Sequence, residues 1–134
     1  MIKYLSTEDV LLLHHLSIEK SGGSHGLRDA GLLDAAVHRP RATFAGVDLY
    51  KTIFDKAGAL CHSLIKNHVF VDGNKRTSLL SAMTFLELNG YRFECGQEEL
   101  VSFGLKIDNE NIPVDGIASW LKAHSTKLTV RRMD

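Results

Sequence analysis

Cysteine is scarce in this chain of 134 residues: only Cys61 and Cys95 are present. Two lone cysteines with no paired spacing exclude a disulfide framework and argue against a zinc site. Charge of one sign is missing too, because 16 Lys and Arg balance 16 Asp and Glu. A net charge of zero gives no global reason to seek a nucleic acid or an anionic membrane as partner. No run approaches the ~18 uninterrupted apolar residues of a membrane span. The start Met1-Ile2-Lys3-Tyr4-Leu5 lacks the long apolar stretch and small-residue cleavage site of a signal peptide, so a soluble, cytoplasmic protein is expected. Repeats, low-complexity tracts and long linkers are absent as well. What is present is 44% hydrophobic and 24% charged residues, the composition of a folded globular domain long enough to bury its own core.

Helical spacing dominates the pattern. A first helix starts near Ser6 or Thr7, with Ser6 and Asp9 at capping-box spacing, and ends at Gly22-Gly23. A second covers about Leu27–Val37, closing before Pro40 because the residue preceding proline avoids helical geometry. After a connection through Gly46, Ile53, Ala57, Leu60, Cys61 and Leu64 mark a strong helix to about Lys66. Another runs from Lys75 to Asn89, closed by Gly90, and is apolar nearly all round, which predicts a place in the middle of a bundle. Tyr91–Cys95 reads as a short extended piece, half of a small hairpin. Gln97–Ile107 and Val114–Ala123 are the last two helices. The fold class is therefore all-α with a minor β element, a single domain over residues 1–125 followed by a short tail, 126–134.

The break between the two strongest helices, Lys66 to Thr77, carries the chemistry. It ends at a helix N-terminus, where free backbone N–H groups and the dipole favour anions. Gly73 allows a close backbone approach or a positive φ, and Asn74 can present an amide. Lys75 and Arg76 put two cations where cations are unfavourable, a conflict that a bound anion removes. If the stretch is extended, His68, Phe70 and Asp72 share one face and Val69 and Val71 the other. His68 is then a proton acceptor for a hydroxyl nucleophile, Asp72 an oxygen ligand for Mg²⁺, and Phe70 the anchor of the loop. A base, a metal ligand, an anion cradle and two cations are the parts of phosphoryl or nucleotidyl transfer.

The run His68-Val-Phe-Val-Asp72-Gly73-Asn74-Lys75-Arg76 resembles the signature of the Fic/Doc superfamily, and its Doc (death-on-curing) toxin branch in particular. The block Gly26–Pro40 (GLRDAGLLDAAVHRP) is similar to the upstream block of Doc-like proteins, and the likeness covers roughly residues 1–125. It implies a compact Fic-like helical bundle. Most of the superfamily moves AMP from ATP onto a target hydroxyl, with a glycine where Lys75 stands and a second arginine where this chain has Leu79. Both departures match the Doc branch, which transfers the γ-phosphate of ATP instead. Gly73 stands where that branch generally has alanine, while the wider superfamily has glycine. The resemblance implies a toxin of a toxin–antitoxin system, phosphorylating a threonine of elongation factor Tu and arresting translation. It also implies a cognate antitoxin, docking through an amphipathic helix. Carried onto this sequence, it makes His68 the base and Asp72 the Mg²⁺ ligand. Gly73 and Asn74 become the anion cradle, and Lys75 and Arg76 the phosphate ligands. Lys66 is a supporting phosphate contact.

Each residue has a plainer reading. His68 alone would be a surface histidine, Asp72-Gly73 a common turn whose carboxylate caps the next helix, and Lys75 and Arg76 solvated cations. Their combination at these spacings favours the site. Arg28 and Asp29 read as a helix start and a structural salt link. His14, His15, His25, His38, His62 and His124 show no metal-ligating spacing. Lys127, Arg131 and Arg132 read as a frayed basic tail without nucleic-acid function. Transfer of AMP, and a partner-binding module without catalysis, remain the alternatives.

Overall fold

The computed structural model describes residues 1–129, a bundle of six α-helices with two small two-stranded sheets. The first helix, α1 (Thr7–Ser21), opens on the expected capping box: Asp9 N–H donates to Ser6 Oγ at 3.1 Å and Ser6 N–H to Asp9 Oδ2 at 2.8 Å. The second, α2 (Ala30–His38), starts three residues later than expected, because Asp29 is its N-cap and accepts from Leu32 N–H. Residues before it are engaged elsewhere, Leu27 forming a β-bridge with Phe70. A 3₁₀ turn, Arg39–Arg41, carries Pro40 past the helix end.

The connection beyond it holds a hairpin that the sequence pattern did not reveal, β1 (Thr43–Phe44) and β2 (Val47–Asp48). A fully buried lysine ties this hairpin down: Lys56 Nζ donates to the carbonyls of Pro40 (3.2 Å) and Tyr50 (2.6 Å) and reaches Asp48 Oδ2 at 3.3 Å. Lys56 belongs to α3 (Ile53–Lys66), itself begun by a Thr52–Asp55 capping box.

The central position falls to α3 and not, as expected, to α4 (Asn74–Leu88). Small residues explain the exchange. A Cβ on Gly58 would meet the Val114 carbonyl oxygen at 3.0 Å, so α6 (Val114–Ala123) lies directly on the α3 backbone. Helix α4 packs one flank on α3, buries Thr77, Ser78 and Ser81 beside Leu79, Phe85 and Leu86, and leaves Leu88 exposed. The extended piece is β3 (Tyr91–Phe93), paired antiparallel with β4 (Ser125–Lys127) around α5 (Gln97–Asn109) and α6. Lys127 is thus part of a sheet, opposite Tyr91, and not of a frayed tail; Arg131 and Arg132 lie outside the described residues. Cys61 and Cys95 are both free thiols. No helix among the described residues is long and apolar enough to cross a membrane.

Candidate active site

The loop from Asn67 to Gly73 is built from both ends. Helix α3 stops at Lys66, and His68 turns into the left-handed region at φ 45°, an unfavourable conformation for a side chain-bearing residue. Two donors hold that turn: the Arg28 guanidinium donates to the carbonyls of Asn67 and His68. Arg28 forms no salt link with Asp29 among the described residues, and its clamp on the loop is a role the sequence did not show. The next residues are locked by the segment before α2. Arg28 N–H and Asp29 N–H donate to the Val69 carbonyl, and Val71 N–H to the Gly26 carbonyl at 2.9 Å. A Cβ on Gly26 (φ 136°) would stand 2.9 Å from Val71 Cγ2, so this close approach needs glycine.

Phe70 is the anchor that was expected, 2% exposed, but the simple alternation is not what forms. Val69 and Phe70 are both buried in the core, while His68, Val71 and Asp72 are exposed. The left-handed turn at His68 breaks the period-two pattern. Two further side chains hold Phe70. His14, 4% exposed on α1, stacks on its ring at 3.8 Å between centroids and donates from Nε2 to the Asp72 carbonyl at 2.8 Å. Asn74 brackets its backbone, accepting from Phe70 N–H at 2.8 Å and donating to the Phe70 carbonyl at 2.9 Å. The Asn74 amide, expected to face an anion, is therefore engaged in shaping the loop.

Asp72 and Gly73 then set up the next helix. Asp72 Oδ2 accepts from Ser24 N–H at 2.9 Å and Oδ1 from Gly73 N–H at 2.8 Å. These amide bonds, with Arg76 and His14 adding weaker attraction, hold the carboxyl below its ordinary range, so it is ionised at neutral pH. Gly73 is left-handed (φ 74°) and serves as the N-cap of α4, which no side chain caps. A Cβ there would come within 3.0 Å of Ile18 Cδ1. With no acidic residue in its first turn, α4 presents its N-terminal amides together with Lys75 and Arg76.

Between this end of α4 and the face of α5 runs a cleft of about 250 Å³, lined by Asp72 to Arg76 and by Leu79, Leu100, Val101, Gly104 and Leu105. Five of the expected site residues share it, and Leu79 forms its wall. His68, the expected base, is not among the residues that line the cleft; it is linked to Lys75 through a residue that sequence reasoning missed, Asp108 on α5, 3.6 Å from His68 Nε2 and 3.3 Å from Lys75 Nζ. Lys66 does not reach the cleft. Its ammonium donates to the Asp108 carbonyl at 3.1 Å and to Asn111 Oδ1 at 2.7 Å, which corrects its expected place as a phosphate contact. His62 also turns away, its Nδ1 accepting from Arg39 at 3.0 Å. Burial, then Arg39, push its pKa down. One signal for Asp108 did exist, an acid in the last turn of a helix, where the dipole disfavours it.

Among the described residues, no three His, Cys, Asp or Glu side chains gather to hold a metal. Asp72 is a single hard oxygen donor, exposed and ionised; each of its oxygens accepts one amide bond and keeps a further lone pair, which fits Mg²⁺ in the manner of ions whose remaining ligands are phosphates and water.

A model of the Fic/DOC family matches residues 4–86. The chain is 53% identical over 90 residues to Toxin Doc of Mycolicibacterium smegmatis, a span covering 67% of each protein. It is 29% identical over 121 residues to Protein kinase doc of Escherichia phage P1, covering 90% of this chain and 94% of that one.

Proposed function

The chain belongs to the Fic/DOC family, and from that premise we propose that it is the toxin of a toxin–antitoxin pair, a protein kinase that moves the γ-phosphate of ATP onto a serine or threonine hydroxyl. Its substrate in this reading is a translation factor, elongation factor Tu, so that modification arrests translation in the cytoplasm. The observation that carries the reading is the uncapped N-terminus of α4. There Lys75 and Arg76 stand against their own helix dipole and line the cleft, with His68 linked to Lys75 through Asp108.

The polyphosphate lies against the amides of α4, where Lys75 and Arg76 neutralise the charge that grows on the transferring group. Asp72 would hold Mg²⁺, which would supply charge screening for the phosphate oxygens. His68 accepts the proton of the attacking hydroxyl as its oxygen bonds to the γ-phosphorus. The bond from that phosphorus to the bridging oxygen breaks, ADP leaves, and His68 returns its proton to solvent. Leu79 in the cleft wall offers no charge to a further phosphate, which favours phosphoryl over AMP transfer. The toxin is held by a cognate antitoxin, whose amphipathic helix docks beside the site.

The test is incubation of the purified chain with Mg²⁺, elongation factor Tu and ATP labelled at either the α or the γ position. Label from γ alone is the expected result, and label from α would establish AMP transfer instead. No transfer with nucleotide still bound would favour a binding role. His68→Ala should abolish transfer while shifting stability by about 1 kcal/mol or less, since the imidazole is exposed. A folded His68→Ala protein that still labels the target overturns the mechanism.

A further inference from the structure

Asp108 stands in the last turn of α5, where the negative end of the dipole disfavours an anion. Lys75 stands in the first turn of α4, where the positive end disfavours a cation. The two misplaced charges meet, with Lys75 Nζ 3.3 Å from Asp108 Oδ2. The other oxygen, Oδ1, lies 3.6 Å from His68 Nε2. The Asp108 side chain is 18% exposed, against 53% for His68 and 41% for Lys75, so the carboxylate is the sheltered member of the three. Its backbone is fixed as well. Lys66 Nζ donates to the Asp108 carbonyl and to Asn111 Oδ1, pinning the end of α5 to the end of α3. Gly104, one turn earlier, brings the helices close: a Cβ there would meet Leu79 Cδ1 at 3.1 Å and Lys75 Cβ at 3.5 Å.

Resting on the phosphoryl-transfer reading above, we propose that Asp108 is a positioning residue whose carboxylate holds Lys75 until nucleotide phosphates take that cation, and then serves His68 alone. One ammonium cannot hold two anions at full strength. A polyphosphate brings more charge than a carboxylate and also bonds to the α4 amides, so it prevails. The released carboxylate stays beside the imidazole, because Lys66 keeps its backbone in place. When the hydroxyl proton moves to His68, the imidazolium forms next to an anion already there. Asp108 takes no proton and forms no bond to phosphorus; it orients the base and answers its charge. Nucleotide binding and readiness of the base are thereby coupled through one side chain.

Asp108→Asn and Asp108→Glu, made in the full chain, test this. Binding of tripolyphosphate and of ATP, each with Mg²⁺, is followed by calorimetry, and transfer by γ-label kinetics. Asp108→Asn removes the competing anion, so both ligands should bind about three- to fivefold more tightly, the weight of a partly exposed ion pair. Its KM for ATP should fall while kcat drops roughly tenfold, as expected for a base that has lost its orienting partner. Asp108→Glu should recover most of kcat. A merely structural pair would lower the melting temperature and leave affinity and kcat unchanged, and that result overturns the proposal. The binding arm does not depend on which group is transferred. Tighter polyphosphate binding by Asp108→Asn, in a chain that gives no γ-label to any target, would overturn the kinase reading and leave the hold of Asp108 on Lys75 standing.

Discussion

Asp72 is acidic because of what its neighbours donate. Amides of Ser24 and Gly73 bond more strongly to the ionised form, which depresses its pKa and latches the Gly22–Gly26 segment onto the loop. A depressed carboxyl contributes above its unfolded value, about 3.9, and the contribution is lost as pH falls through the lower folded value. The Ser24 amide resonance should therefore hold its position from neutral pH to below about pH 4 and move only there. A Ser24 resonance that titrates near pH 6 would show that the latch is not this carboxylate. At this scale the sequence revealed which residues belong together but not which atoms face the ligand. Asn74 and Lys75 look alike as polar residues of one motif. The structure turns the first inward to Phe70 and leaves the second at the cleft, because only Asn74 has both a donor and an acceptor to match a free peptide group.

Helix ends and the segments that brace them decide how rigidly the site is held. The left-handed His68 is held in place by Arg28, whose guanidinium bonds to two successive loop carbonyls. Since Arg28 is exposed, Arg28→Ala should change stability by only about 1 kcal/mol. The same change frees the turn that carries His68, the base of the proposed reaction, and misplacement on the ångström scale costs roughly ten- to a hundredfold in rate. Transfer assays set beside thermal melts check this: a large loss of stability with kcat per folded molecule unchanged would make the clamp merely structural. The start of α1 was legible from its capping residue Ser6, since that bond is local. The start of α2 was not, because residues 27–29 are drawn into a bridge with a loop some forty positions away.

Across the whole molecule, the loop from Asn67 to Gly73 and the hydrophobic core are one structure. Val69 and Phe70 lie in the same buried cluster as Leu64, Phe85 and Ile117, so the loop cannot move without disturbing the bundle. Phe70→Ala should cost about 3–5 kcal/mol and lose the stacked contact with His14, in contrast to the near-neutral His68→Ala two residues away. Chemical denaturation of the two variants measures the difference, and equal midpoints would refute it. Capping, 3.6-residue periodicity and motif spacing are local properties of the chain, and the helical class, the positions of the long helices and the nine-residue motif follow from them. Packing between distant segments puts α3 at the centre, buries Lys56 under a hairpin, and ties Lys66 to the end of α5. It also brings Asp108 between His68 and Lys75. Those outcomes depend on which helices approach closely at Gly58 and Gly104, and close approach is set by the packing of distant segments, which no local pattern encodes.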